Sequence, residues 1–294
     1  MPELPDIALY LEHLAPRVVN QTLERVVVRN PFVVRSVDPP LSAAAGKRVT
    51  GLRRLGKRIV FELEGGLFLV VHLMIAGRFR WKPPGTKPPG KLGLASFEFP
   101  SGVLLLTEAG TKRRASIYLV AGDDRLGEFD RGGLEVLTSD ATSFAARLRS
   151  ESHTVKRALT DPRLFSGIGN AYSDEILHRA RLSPLARTGK LTDEEVSRLY
   201  QATLGTLEEW IRRLRAEAGE KFPEKVTAFR DGMAVHGRYK LPCPNCGTPV
   251  QRIRYADNET NYCARCQTGG RLLADRAMSR LLKEDWPRSI DDVE

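Results

Sequence analysis

The stretch 243–266, CPNCGTPVQRIRYADNETNYCARC, holds every cysteine of the chain, and its spacing decides how the C-terminal part folds. Cys243-x2-Cys246, sixteen intervening residues and Cys263-x2-Cys266 make two CxxC knuckles, each of which brings two sulfurs to one tight turn. The segment PVQRIRYADNETNY between them suits a two-stranded hairpin that carries the knuckles together. Four thiolates at this spacing form a ribbon around one structural Zn2+ ion, which folds the module and leaves no open position for chemistry. Paired knuckles in a reducing compartment favour metal over disulfides. Activity must therefore reside in the rest of the chain and in what the ribbon presents.

Outward from the ribbon, the composition narrows the partner. The chain has 294 residues, 41% hydrophobic and 28% charged, with a formal net charge of +10. Such length predicts about two domains, and the summed positive field favours a polyanion. No apolar run reaches the ~18 residues of a membrane span, and MPELPDI lacks the basic and apolar regions of a signal peptide. The reading is a cytosolic monomer that does not associate with membranes.

Along the chain, MPELPDIALYLEHL starts a helix. Pro5 fits a first turn, Asp6 sits at the positive end of the dipole, and Ile7, Leu11 and Leu14 recur at helical spacing. Residues 20–120 read as β structure: TLERVVVR, IVFELEGGLFLVVHL and SFEFPSGVLLLTEA are strands punctuated by EGG and PSG turns. KPPGTKPPGK, residues 82–91, is an exposed loop between them. From about residue 140 the period turns helical, and Thr192 and Glu195 form a capping box at the head of the longest helix. EFDRGGLEV, residues 128–136, marks the hinge. The expected class is α+β multidomain: an N-terminal helix plus β-sandwich over 1–127, a helical domain over 128–235, the ribbon over 236–268 and a charged tail over 269–294.

Several segments carry chemistry. If Met1 is removed, Pro2 leaves a secondary amine at the terminus beside Glu3; a terminal amine has an ordinary pKa near 7.7 to 8.0, so a useful fraction is nucleophilic at neutral pH. GKRVTGLRRLGKR, residues 46–58, holds six basic residues and no acidic one, and TKRR at 111–114 adds three; basic strand faces of this kind suit a phosphate backbone, although any one such charge equally suits a solvated surface. In SGIGNAYSDEIL, residues 166–177, a tight glycine turn leads into Asn170 and a helix whose first N–H groups offer a phosphate site.

PELPDI, LGKRIVFEL, HLMIAGRF, GIGNAYSDEILHRARLSP and CPNCGTP…YCARCQ, in this order over residues 1 to about 268, together resemble the formamidopyrimidine-DNA glycosylase and endonuclease VIII family. The resemblance implies a bifunctional DNA glycosylase and AP lyase of base-excision repair, a zinc-containing enzyme of bacterial type associated with the nucleoid through DNA. It implies a β-sandwich domain followed by a helix-two-turn-helix domain with the ribbon, acting on double-stranded damaged DNA. Position by position, Pro2 matches the proline that attacks C1′ and forms an iminium. Glu3 matches the glutamate that moves protons at the opening sugar, Lys57 the lysine at the lesion phosphate, and Asn170 the asparagine gripping the same backbone. The substrate nucleotide must leave the stack, at a cost lower for damaged bases.

Three positions depart from the family. Asn258 stands where the ribbon usually carries a phosphate-binding arginine, and a neutral amide loses the bidentate ionic contact; Arg254, or Arg252, is the expected substitute. HLMIAG replaces HLGMSG and RRASIY lacks the aromatic residue after the arginine pair, which leaves Met74, Ile75 and Arg114 as candidates to fill the vacated base stack, with ordinary strand core the favoured reading of Met74 and Ile75. RAEAGEKFPEKVTAF, residues 215–229, lacks the glycine- and threonine-rich stretch of the 8-oxoguanine base-capping loop. The alternatives are a damaged-DNA-binding protein of the same fold with weak turnover, and a zinc-ribbon protein of transcription or RNA; the retained Pro2 and Glu3 favour the enzyme.

Overall fold

A computed structural model of the chain describes every residue except 111, 225, 228, 256–257, 275–279, 283–286 and 294. Thr111 of the TKRR run, Lys225 and Ala228 of the segment before HGRYKL, and much of the tail expected at 269–294 thus lie outside the described residues. The chain forms two compact units, residues 1–131 with 210–227, and residues 132–209 with 228–294. It first crosses between them at Arg131 and Gly132, inside EFDRGGLEV.

In the first unit, helix α1 (Leu4–Val18) begins after an extended Glu3, whose N–H donates to Asp6 Oδ2 at 2.9 Å. Pro5 lies in the first turn, where its missing N–H has no intrahelical partner. Ile7, Tyr10, Leu14 and Val18 form one fully buried stripe. Strands β1 (Thr22–Leu23), β3 (Lys47–Leu55), β4 (Arg58–Leu63), β5 (Leu67–His72) and β9 (Ser116–Ala121) make a five-stranded sheet in the order β1-β3-β4-β5-β9. Strands β2 (Arg25–Val28), β6 (Gly77–Lys82), β7 (Gly93–Phe99) and β8 (Gly102–Glu108) make a four-stranded sheet in the order β2-β7-β8-β6. All pairings within the two sheets are antiparallel. Their inner faces share one core, in which the Phe61 ring lies 6.5 Å from Phe79 and 6.3 Å from Phe97. Burying each such ring contributes about 2–3 kcal/mol. Helix α2 (Asp123–Gly127) closes the unit's first segment. The expected β-sandwich behind an N-terminal helix is what forms.

The second unit contains α3 (Ala141–Arg149), α4 (Val155–Thr160), α5 (Asn170–Ala180) and the start of α6 (Asp193–Ala218). The expected capping box is present: Thr192 N–H donates to Glu195 Oε2 at 2.9 Å and Glu195 N–H to Thr192 Oγ1 at 3.2 Å. Strands β10 (Gln251–Tyr255) and β11 (Asn258–Tyr262) form the hairpin between the knuckles, and α7 (Ala264–Thr268) follows. Helix α5 buries polar side chains on nearly every side, because it is the post to which the ribbon is tied. Glu175 accepts N–H groups from Ala234, Val235 and His236 at 2.6–2.9 Å. Asp174 accepts from Lys156 Nζ, meets His236 Nδ1 at 2.8 Å and accepts from Asn261 N at 3.2 Å. A buried carboxylate is tolerable only when its oxygens are occupied in this way. The described part of the tail folds back on the ribbon: Ile290 N–H donates to Gly270 O at 2.8 Å, Leu273 N–H to Tyr262 Oη at 2.8 Å, and Leu273 and Ile290 join the Tyr262 and Ala264 cluster.

Candidate active site and nucleic-acid interface

The start of α1 gathers Pro2, Glu3 and Lys57. Pro2 and Glu3 are buried, and Lys57 follows Gly56, a turn residue at φ +60° between β3 and β4. Burial lowers the pKa of Lys57, opposed by the nearby Glu3 carboxylate. The terminal amine of Met1 is likewise lowered by burial, with Glu3 and Asp6 raising it and Arg78 and Lys57 lowering it further. As translated, the Pro2 nitrogen is a peptide nitrogen. With Met1 removed, the proline amine would lie beside these same groups, and an amine held below its usual pKa is nucleophilic at neutral pH.

Next to Lys57 lie Arg58, of the same basic run, and His72, which was not singled out. His72 ends β5 opposite Arg58, the first residue of β4, and its Nε2 is buried with no hydrogen-bond partner among the described residues. Burial, then the charges of Arg58 and Lys57, push its pKa down to about 4, so it is neutral at pH 7. Arg58 Nη1 donates to Phe129 O at 3.3 Å, while its Nε has no hydrogen-bond partner among the described residues. His72 was visible in HLMIAGRF, but only the antiparallel pairing of β4 with β5 sets it against Arg58.

The Leu73–Gly77 turn holds Met74 at φ +53°, in the left-handed region that bulky residues avoid. Its side chain is half-buried, whereas Ile75 is 57% exposed at the tip. Arg78 pins this turn by donating to Ile75 O at 3.1 Å, to Gly77 O at 2.6 Å and to Val226 O. Arg114 is exposed, and the loop that carries it is held by Glu108, whose buried carboxylate accepts Arg114 N–H on both oxygens at 3.0 Å and Ala115 N–H at 3.1 Å.

In the second unit, Asn170 opens α5 after Gly169, and its Nδ2 donates to Glu259 O at 2.7 Å. Glu259 also organises Arg252 and Arg254, the expected substitutes for an arginine at position 258. Arg252 Nη1 and Arg254 Nε each approach Glu259 Oε2 at 3.3 Å, and Arg252 lies over the Tyr239 ring at 4.0 Å. Burial pushes the Glu259 pKa up, but hydrogen bonds from Asn261 and Arg254 and the charge of Arg252 outweigh it and hold the carboxyl below its usual range. Asn258 is exposed at the start of β11, one residue from Glu259. The structure thus groups Asn170, Arg254 and Asn258 around the hairpin, and Pro2, Glu3 and Lys57 around the start of α1; Met74 and Arg114 sit on separate turns of the first unit.

The four cysteine sulfurs all lie within 4.8 Å of one another. Cys246 and Cys263 approach to 3.4 Å, and Cys243 and Cys266 to 3.9 Å. A tetrahedral ion with ~2.3 Å metal–sulfur bonds needs sulfurs about 3.8 Å apart, so the set fits a closed four-thiolate site. His178, buried on α5, meets Cys243 Sγ with Nε2 at 3.2 Å. An N–H donor at that distance suits a thiolate.

The formamidopyrimidine-DNA glycosylase N-terminal domain matches residues 1–113, the H2TH domain of the same glycosylase matches residues 133–219, and the zinc finger found in FPG and IleRS matches residues 240–269. The formamidopyrimidine-DNA glycosylase of Thermus thermophilus is 35% identical over 279 residues, covering 92% of this chain and 100% of that protein. An uncharacterized formamidopyrimidine-DNA glycosylase-like protein of Mycobacterium tuberculosis is 43% identical over 150 residues, covering 51% of this chain and 91% of its own. A point mutant of the Lactococcus lactis FPG, in complex with a Fapy-dG containing DNA, superimposes with a TM-score of 0.80 at 25% identity, over 91% of this chain and 100% of that one. The crystal structure of the MutM (FPG) protein from Thermus thermophilus gives 0.76 at 34% identity, over 90% and 98%.

Proposed function

The chain belongs to the formamidopyrimidine-DNA glycosylase family and is a DNA-binding base-excision repair glycosylase with AP lyase activity, and on that premise we propose that Pro2, Glu3 and Lys57 carry the reaction on oxidised bases in double-stranded DNA. The gathering of Glu3, Lys57 and the N-terminus at one end of α1 carries this reading. After removal of Met1, the Pro2 nitrogen attacks C1′ as the bond from C1′ to the base breaks; the base leaves with the bonding pair and takes up the proton released by the proline nitrogen, and Glu3 delivers a proton to the ring oxygen as the sugar opens to the iminium. The resulting iminium acidifies the adjacent C2′ position, and loss of that proton expels the 3′ phosphate by elimination. Lys57, with His72 and Arg58 beside it, holds a phosphate at the lesion, and Asn170 holds the same backbone from the head of α5. Ile75, exposed at the tip of its turn, is better placed than the half-buried Met74 to enter the vacated stack, with Arg114 beside it in role. The metal is one Zn2+ ion held by Cys243, Cys246, Cys263 and Cys266; when bound it supplies structural cross-linking and no chemistry. The protein acts as a cytoplasmic monomer.

Borohydride reduction of the protein incubated with an abasic duplex tests the mechanism. A covalent protein–DNA adduct is expected in the wild type and at least tenfold less in Pro2→Gly. A wild-type protein that lacks Met1 and forms no adduct refutes the iminium.

A further inference from the structure

The second unit contains an open cavity of about 660 Å³ bounded by the outer face of the ribbon hairpin, the start of α4 and the segment that leads to residue 187. Its lining includes Arg157, Arg187, Arg254, His153, Asn258 and Thr260, and no carboxylate among the described residues. The basic side chains differ in what they are already doing. Arg254 is drawn to Glu259, and His153 Nε2 meets Glu151 Oε2 at 2.7 Å. Arg157 and Arg187 are exposed and have no salt bridge among the described residues.

The backbone that carries them is tied by hydrogen bonds. Thr154 and Arg187 form an antiparallel bridge, Val155 N–H donates to Ala186 O at 2.8 Å, and Thr154 Oγ1 caps α4 by accepting Arg157 N–H. Two guanidiniums that line one cavity and have no salt bridge among the described residues favour a shared anionic guest. The cavity is also continuous with the proposed DNA track. Asn258 lines it, the next residue, Glu259, receives the Asn170 amide, and Lys156, adjacent to Arg157, donates to Asn170 O at 3.3 Å.

We infer that Arg157 and Arg187 form, with Asn258, a phosphodiester-binding anchor that supplies the charge missing from the ribbon at Asn258. The ligand is the backbone of the DNA that the enzyme processes, and the inference rests on that reading. Arg252 and Arg254 do not replace the missing guanidinium by themselves, because both serve the single Glu259 carboxylate. Neutralising a phosphate adds about 0.9 to the dependence of log K on log salt, so each of the two arginines contributes about that much.

The test measures affinity of the full chain for a duplex with an abasic-site analogue across a salt series, for wild type, Arg157→Ala, Arg187→Ala, the double variant, and Arg25→Ala as a surface control. Each cavity variant is expected to lower the slope by about 0.9 and the double by about 1.8, with the control unchanged. Arg157→Lys should retain the slope, and Asn258→Arg in the double variant should restore about one contact. If an alanine variant melts several degrees lower, glutamine replaces alanine at both positions. A double variant with unchanged slope refutes the anchor, provided borohydride still traps the wild type on an abasic duplex; a wild type that neither binds nor is trapped refutes the functional reading together with the anchor. Loss of affinity for inorganic phosphate with no change on DNA assigns the cavity to small anions and overturns the inference.

Discussion

Acidification should expose the cost of burying His72. In the folded protein its pKa is pushed down to about 4, first by burial and then by the charges of Arg58 and Lys57, against an ordinary value of 6.5. The unfolded chain therefore takes up a proton on this ring below about pH 6.5, while the folded chain does so only near 4. The stability associated with the neutral ring is present above 6.5 and is lost as pH falls through that window, with no further loss below 4. At 1.36 kcal/mol per pKa unit, the full loss is about 3 kcal/mol. That is a substantial part of the 5–15 kcal/mol typical of folded proteins. Urea unfolding of the wild type and of His72→Gln at pH 7, 5.5 and 4 isolates it, because the carboxylates titrate equally in both. The wild type should lose about 3 kcal/mol more than the variant between pH 7 and pH 4. Parallel loss in the two proteins would show that the ring is solvated or partnered, and the account of the buried His72 beside Lys57 would fail with it.

Three further outcomes follow from the geometry. Glu108→Ala removes the acceptor of the Arg114 and Ala115 N–H groups inside the protein and should cost about 3 kcal/mol in thermal or urea unfolding. Gly77→Ala would place a Cβ 2.2 Å from Leu73 O and should destabilise by about 2 kcal/mol or more, whereas Met74→Gly should stay within about 1 kcal/mol of wild type because relief of the left-handed strain offsets the added chain entropy. Equal effects at the two positions would refute that account of the turn. Finally, His178→Phe should release the ribbon's metal to a chelator about 10- to 100-fold more readily by removing the donor at Cys243 Sγ, and Cys246→Ser should unfold the ribbon while the first unit keeps its own melting transition. Metal retention unchanged in His178→Phe would show that the contact carries no load.

The sequence by itself determined those features that depend on neighbours along the chain. The CxxC pairs place sulfurs through local knuckles, the Pro5 and Asp6 pattern and the Thr192–Glu195 box start helices through their own N–H groups, and apolar β-forming runs bounded by EGG and PSG turns mark sandwich strands. Those forces act over a few residues, so spacing is enough to read them. What only the tertiary structure decided depends on residues far apart in the chain. Strand register set His72 against Arg58 beside Lys57, and the turn geometry left Ile75 exposed while drawing Met74 inward. The neutral Asn258 was legible, but not its surroundings: Glu259 engages both Arg252 and Arg254, and the loop bridge at Thr154 brings Arg187 to the cavity that Arg157 lines. Coulomb interactions and desolvation depend on distance and burial in space, and neither is encoded in spacing along the chain.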